Sequence, residues 1–221
     1  MKFGVALVVG AVLSLGAASN AGAVSFVTSL SDNFDTENGG SPQLNYYNFN
    51  NWTVGTSSHS ASSSGGSVDL IGNGSFDAFP GNGLYVDMCG STGACGSLTS
   101  KSAFAAGTYQ YTITLGGIIY PPGNGYGAIN DGVGVTFGGA NIGSLATNYQ
   151  SVVTYSGIVT VGNGAHLTIQ DLALTGNENI GATLLSVNVS AVPLPAALPL
   201  FGAALSGVGL FGWRRSRKSR A

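Results

Sequence analysis

The sequence predicts an all-β fold, an antiparallel β-sandwich of jelly-roll type, flanked by an N-terminal signal peptide and one C-terminal transmembrane helix. Three observations predict it. Apolar residues alternate with polar ones across the middle of the chain, the period of a half-buried strand. Gly makes up 36 of 221 residues and recurs in Gly-Asn-Gly runs, which suit tight turns because both residue types tolerate φ > 0. Charged residues are 7% of the chain, against roughly 25% in an ordinary soluble protein. That scarcity excludes a coiled coil, a charge-rich disordered tail and a typical cytosolic α/β enzyme.

Charge divides the chain into three units. The formal net charge is −2, but the signs are segregated. The basic residues are Lys2, Lys101, Arg214, Arg215, Arg217, Lys218 and Arg220, and all nine acids lie between Asp32 and Glu178. Residues 24–191 therefore hold nine acids against one lysine, a net of −8. We read 1–23 as a signal peptide, 24–191 as an exported β-sandwich domain, and 192–221 as a C-terminal sorting signal.

Lys2 opens the first unit, followed by an uncharged apolar run over 3–15 and a small-residue finish at Ala21-Gly22-Ala23. Basic start, short apolar core and small-x-small end describe a secretory signal. Ala21 and Ala23 suit the two small pockets of a signal peptidase. The core is shorter than the ~20 residues of a membrane span, so cleavage is expected rather than anchoring.

In the middle unit, Tyr109, Tyr111, Ile113 and Leu115 alternate with Thr108, Gln110, Thr112 and Thr114, which predicts one strand. Val133, Val135 and Phe137 predict a second; Leu84, Val86 and Met88 a third; Leu185, Val187 and Val189 a fourth. Leu167 and Ile169 begin another, but Leu172 and Leu174 shift its phase, which predicts a bulge near Gln170. Turns are expected at 72–74, 81–83, 123–125 and 162–164. The Ser/Gly tract over 57–67 reads as a surface loop, and no repeat of fixed period is present.

Cys89 and Cys95 are the only cysteines. An even count in an exported chain reads as one disulfide. A redox pair would instead call for Cys-x-x-Cys in a thioredoxin-like setting, and neither is present.

Chemistry-bearing groups are sparse. Asp32, Asp35 and Glu37 put three carboxylates in six residues, a candidate structural calcium site because Ca²⁺ takes oxygen ligands; a solvated turn is the plainer alternative. Tyr46, Tyr47, Phe49 and Trp52 stand among Asn45, Asn48, Asn50 and Asn51. Aromatic faces beside amides suit a sugar, so Tyr46, Tyr47 and Trp52 are candidate carbohydrate-binding residues, against the alternative that they fill the core. His59 and His166 are isolated, which argues against a histidine metal centre. There is no Gly-x-Ser-x-Gly elbow and no phosphate loop. The Gly-x-Gly-x-x-Gly over 207–212 lies in an apolar segment outside any βαβ unit. A net of −8 argues against nucleic acid as a partner. No catalytic set assembles, so the expectation is a non-enzymatic protein with no cofactor beyond that calcium.

The last unit carries the most specific pattern. Residues 192–213 are uncharged. The 18 residues over 196–213 would make a helix about 27 Å long, enough to span a hydrocarbon core of about 30 Å. Trp213 suits the interface, and Arg214, Arg215, Arg217, Lys218 and Arg220 form a basic stop-transfer cluster that stays cytoplasmic. Pro193 and Pro195 lack N–H groups and disfavour helix before each ring, so the motif should be extended at the membrane surface.

The run Val192-Pro193-Leu194-Pro195-Ala196, then the apolar helix, then Trp213-Arg214-Arg215-Ser216-Arg217-Lys218, resembles the PEP-CTERM sorting signal in its VPLPA-CTERM variant, over about 30 of the 221 residues. Leu194 stands where the Pro-Glu-Pro form has Glu. The resemblance implies processing near the Pro motif by an exosortase-like membrane transpeptidase. The precursor would then be anchored in the inner membrane and the mature form would reach the cell surface or extracellular matrix. The middle unit is similar in pattern to exported jelly-roll domains of carbohydrate-binding type, through Gly83-Leu84-Tyr85-Val86-Asp87, Gly90-Ser91-Thr92-Gly93, Phe104 and Gly107-Thr108-Tyr109. That likeness makes extracellular polysaccharide the alternative partner.

Overall fold

Alternating apolar residues without helix-forming runs leave the backbone one way to satisfy its polar groups, which is to pair strands. The structure, a computed structural model, describes residues 25–58, 65–117, 131–147, 151–172 and 181–193. The expected signal peptide, the motif from Leu194 onward, the apolar helix and the basic tail lie outside the described residues. Within them are β1 (Ser29–Asp32), β2 (Trp52–Thr56), β3 (Asp69–Gly72), β4 (Leu84–Asp87), β5 (Cys89–Gly90), β6 (Ala94–Ser100), β7 (Gly107–Gly116), β8 (Asp131–Phe137), β9 (Ala140–Thr147), β10 (Val152–Val161), β11 (Leu167–Asp171) and β12 (Thr183–Ala191).

The strands form two antiparallel sheets. One runs β10-β7-β12-β4-β3, with β1 also on β12; the other runs β2-β6-β11-β8-β9, with β5 on β6. Their inner faces meet in one core. Leu84, Val86, Ile113, Leu115, Val187 and Val189 from the first sheet pack with Leu98, Val133, Val135, Phe137, Leu167 and Ile169 from the second. Phe104, Tyr109 and Phe137 close one end of that core as a ring cluster with centroids 4.8–5.6 Å apart. This is the all-β antiparallel sandwich that the alternation predicts.

The phase change lies elsewhere than expected. β11 pairs with β8 in unbroken register from Leu167 to Asp171, so there is no bulge at Gln170. Leu167, Ile169 and Asp171 are buried, whereas Gln170 and Leu172 lie over Gly134. Leu172 therefore continues the outer row and buried Asp171 the inner one. One register irregularity lies in β12, where the pairing with β7 shifts between Leu184 and Ser186. It turns Leu185 away from the core into a second cluster with Ile71, Phe79 and Tyr85. The aligned Leu185-Val187-Val189 face is thereby corrected: Val187 and Val189 join Leu184 in the core and Leu185 does not.

The turn over 72–74 has φ of 110°, 52° and 84° at Gly72, Asn73 and Gly74, the left-handed values expected of Gly-Asn-Gly. The Ser/Gly tract is pinned at both described ends. Ser57 Oγ donates to Asp171 O, and Ser67 is buried with its Oγ 2.6 Å from Thr92 Oγ1.

Candidate functional site

The predicted acidic and aromatic residues fall on one long connection, from Asp32 at the end of β1 to Trp52 at the start of β2. The structure spends them on holding that connection to the sandwich. Asp32 Oδ1 accepts from Phe34 N at 2.8 Å, and its Oδ2 accepts from Asn51 Nδ2 at 3.0 Å and Trp52 Nε1 at 2.9 Å. Asp35 Oδ1 accepts from Leu84 N at 2.9 Å, and its Oδ2 from Asn33 Nδ2 at 2.7 Å. The buried Glu37 accepts from Asn50 N with both oxygens, at 2.9 and 3.0 Å. Burial pushes the Glu37 carboxyl above its ordinary pKa, the Asn50 amide pulls the other way, and Asp32 adds to the rise.

A calcium ion needs several such oxygens at one point. Among the described residues, the only three His, Cys, Asp or Glu side chains with ligand atoms within 4.8 Å of one another are Cys89, Cys95 and Asp171. Asp32, Asp35 and Glu37 do not converge in this way. The Cys89–Asp171–Cys95 group offers no thiolates, because its two sulfurs are joined as the Cys89–Cys95 disulfide.

Of the candidate sugar-binding aromatics, the structure withdraws two. Trp52 is completely buried and Tyr46 nearly so. Tyr46 packs edge-to-face on Phe49 with centroids 4.7 Å apart, and Phe49 packs on Phe34. Rings enclosed in this way have no face left for a ligand, which corrects the expectation for Tyr46 and Trp52. Tyr47 is 51% exposed, beside the exposed Asn48. Lys101, the lysine of the middle unit, donates its Nζ to Phe49 O and so also serves this connection.

The disulfide closes the β5–β6 hairpin, with Cys89 directly opposite Cys95 in the register. It sits where the chain leaves β4 in one sheet for β6 in the other. Three aspartates missed by sequence reasoning gather near it. Asp69 and Asp87 are direct cross-strand partners on β3 and β4. Asp69 accepts from Asn45 N, Ser91 N and Ser91 Oγ. Asp87 accepts from Cys89 N at 3.0 Å and Gly181 N at 2.9 Å, and Asp171 accepts from Ala182 N. Burial drives the Asp87 carboxyl well above its ordinary pKa, and Asp69 and Asp171 add to the rise. The signal in the sequence was slight, since each aspartate stands alone in its strand.

His166 holds Ser100 O through Nδ1 at 2.7 Å; His59 lies outside the described residues. At the far end, β12 stops at Ala191. Ala191 N donates to Thr28 O, and Val192 N donates to Thr108 O at 2.8 Å. Val192 is already 37% exposed, and the next residue is the first proline of the motif.

No protein-family model matches the chain, and no curated protein matches it. Solved structures share the general architecture at low similarity. A family 35 carbohydrate-binding module from Clostridium thermocellum is 11% identical with a TM-score of 0.37, over 69% of this chain and 99% of that one. The CBM36-1 domain of a multidomain xylanase from the hindgut metagenome of Trinervitermes trinervoides is 17% identical with a TM-score of 0.38, over 65% and 100%. An exo-β-1,3-galactanase from Phanerochaete chrysosporium is 15% identical with a TM-score of 0.37, over 62% of this chain and only 27% of that one. Likeness at this level assigns no activity, ligand or partner to the chain.

Proposed function

We propose that the chain is an exported, non-enzymatic protein of the cell surface or extracellular matrix. A signal peptide delivers it, and a PEP-CTERM-like tail anchors it until an exosortase-like transpeptidase processes that tail. One observation carries the reading most directly. Among the described residues the last strand ends at Ala191, the ladder gives its final bond at Val192 N, the first residue of the motif, and Pro193 after it has no N–H to donate. The ladder of the fold thus reaches the first residue of the motif, which supports an exposed segment directly after the domain.

The non-enzymatic part has its own support. Asp32, Asp35, Glu37, Asp69, Asp87 and Asp171 each accept hydrogen bonds from the fold itself. They serve as internal acceptors rather than as free acid–base pairs.

Intact-mass analysis of the protein recovered from the cell exterior tests the sorting reading. The expected mass lacks residues 1–23 and the tail beyond about Val192. A surface form that keeps Ala221 overturns it.

A second reading, binding of extracellular polysaccharide, is favoured by half-exposed Tyr47 beside Asn48. A polysaccharide pull-down with the parent and Tyr47→Ala tests it. Binding that survives unchanged in Tyr47→Ala removes this surface from consideration.

A further inference from the structure

A sheet edge is a row of unpaired N–H and C=O groups, and stable proteins blunt it by short strands, charges, prolines, bulges or covering segments. The edges of this sandwich can be compared one by one. The outer side of β3 is covered by the segment before β2: Gln43 N donates to Leu70 O, Leu70 N donates to Gln43 O, and Tyr46 N donates to Val68 O. β1 and β2 are only four and five residues long. β9 is broken by a bulge, since Val135 faces Gly143 and Thr136 faces Asn141, which leaves Ile142 without an opposite residue.

β10 lacks the charge, proline, bulge and shortness that blunt the other edges among the described residues; its neighbour across the sandwich is β9, where Tyr155 Oη donates to Ala146 O from the half-buried side. β10 runs ten residues, Val-Val-Thr-Tyr-Ser-Gly-Ile-Val-Thr-Val, with no charge and no proline. It pairs with β7 in unbroken register from Val152 to Val161, an edge of about 33 Å. β7 beside it is also uncharged. The acids of a domain with a net of −8 are therefore absent from this edge, where they would otherwise keep two copies apart.

We propose that β10 is the edge by which two copies of this chain join, antiparallel and two-fold symmetric, so that their β10-bearing sheets become one continuous sheet. The sequence of β10 complements itself in that arrangement. Centred on Gly157, Tyr155 faces the partner copy's Val159, Thr154 faces its Thr160, and Ser156 faces its Ile158. Aromatic against β-branched and Thr against Thr are favourable cross-strand pairs. Each pair also lies on one side of the sheet: Thr154, Ser156, Ile158 and Thr160 are exposed, whereas Val153, Tyr155, Gly157 and Val159 are half-buried. A slip of one residue would put these two sets on the same side. Because the contact is isologous it closes at two copies and builds no fibre.

The test uses the full-length chain in a mild non-ionic detergent and a short bis-maleimide. The two native cysteines are consumed in their disulfide, so an introduced thiol is the one that reacts. Ser156→Cys is expected to give a band at twice the chain mass. Asn188→Cys, on the same face but two strands inward on β12, is expected to give none. Adding Ile158→Lys, at a position 69% exposed and so tolerant of the change, places like charges across the symmetric contact and should lower the Ser156→Cys dimer yield roughly tenfold or more. Its circular dichroism should match the parent's. No dimer band with Ser156→Cys, an equal band with Asn188→Cys, or a dimer indifferent to Ile158→Lys in a folded chain would each overturn the proposal.

Discussion

Replacing Trp52 separates the two roles an aromatic residue among asparagines can play. Its indole is fully buried, and Nε1 donates to Asp32 Oδ2 at 2.9 Å. The same oxygen takes Asn51 Nδ2, and the other takes Phe34 N. Trp52→Phe keeps most of the packing but removes a donor to a carboxylate, a bond of about 1.5–3 kcal/mol. A cost near 2 kcal/mol corresponds to about 4–8 °C in melting temperature for a domain of this size. In an Asp32→Ala background the same replacement should cost about 1.5 kcal/mol less, because the bond is already gone. Near-UV circular dichroism melts of the full-length chain in all four backgrounds give the coupling. A parent-like melt for Trp52→Phe, or an identical cost with and without Asp32, refutes the assignment. Trp52→Ala should lose about 3–5 kcal/mol, enough to unfold a marginal domain. Loss of sugar binding in that variant would report unfolding, so Tyr47→Ala is the informative change.

Other outcomes follow from the same bonds. Glu37 and Asp87 hold their protons to higher pH in the fold than in the unfolded chain. Over the window from the ordinary carboxylate pKa of about 4 up to their raised values, the native state binds more protons, so these two groups add stability as pH falls. The melting temperature should rise from pH 7 toward pH 5 and Asp87→Asn should flatten the rise; a parent that loses stability over that range contradicts it. Gly83→Ala should cost about 1–2 kcal/mol, because Gly83 has φ +72° and a Cβ there would collide with the Asp35 carboxylate that caps Leu84 N; a parent-like denaturation midpoint refutes this. Replacing both Cys89 and Cys95 by Ser should cost about 2 kcal/mol, the value for so short a loop, read as a lower urea midpoint at unchanged slope.

The sandwich was legible because its signal is local. A strand with one face in the core must alternate, and β7 and β8 do so at every position that the sequence marks. The bulge was not legible in the same way. Leu172 reads as a phase shift because the apolar residues step from 167 and 169 to 172, yet the fold keeps the register, buries Asp171 in the inner row and gives it Ala182 N as a donor. Leu185 looked like core because nothing near it announces a second cluster, which forms only when Ile71, Phe79 and Tyr85 arrive from other strands. The loop over 33–51 shows the same limit. Carboxylates close in sequence read as a ligand set, but their partners Leu84 and Asn50 are set by tertiary contacts. Tyr46, Tyr47 and Trp52 have the same local composition, and only the path of the chain decides which of them faces water.

The position of β12 has a consequence for the order in which the domain can form. It is the last strand among the described residues yet an interior one in its sheet, held by β7 on one side and by β4 and β1 on the other. Ser29 near the start of the described residues lies opposite Ser190 near their end. Until residue 191 has been made, β1 has no ladder to join and the core lacks Leu184, Val187 and Val189. The three strands that pair with β12, namely β1, β4 and β7, therefore complete their ladders only once that segment is present. A truncation a few residues short of Ala191 therefore removes part of the middle of a sheet rather than trimming its edge.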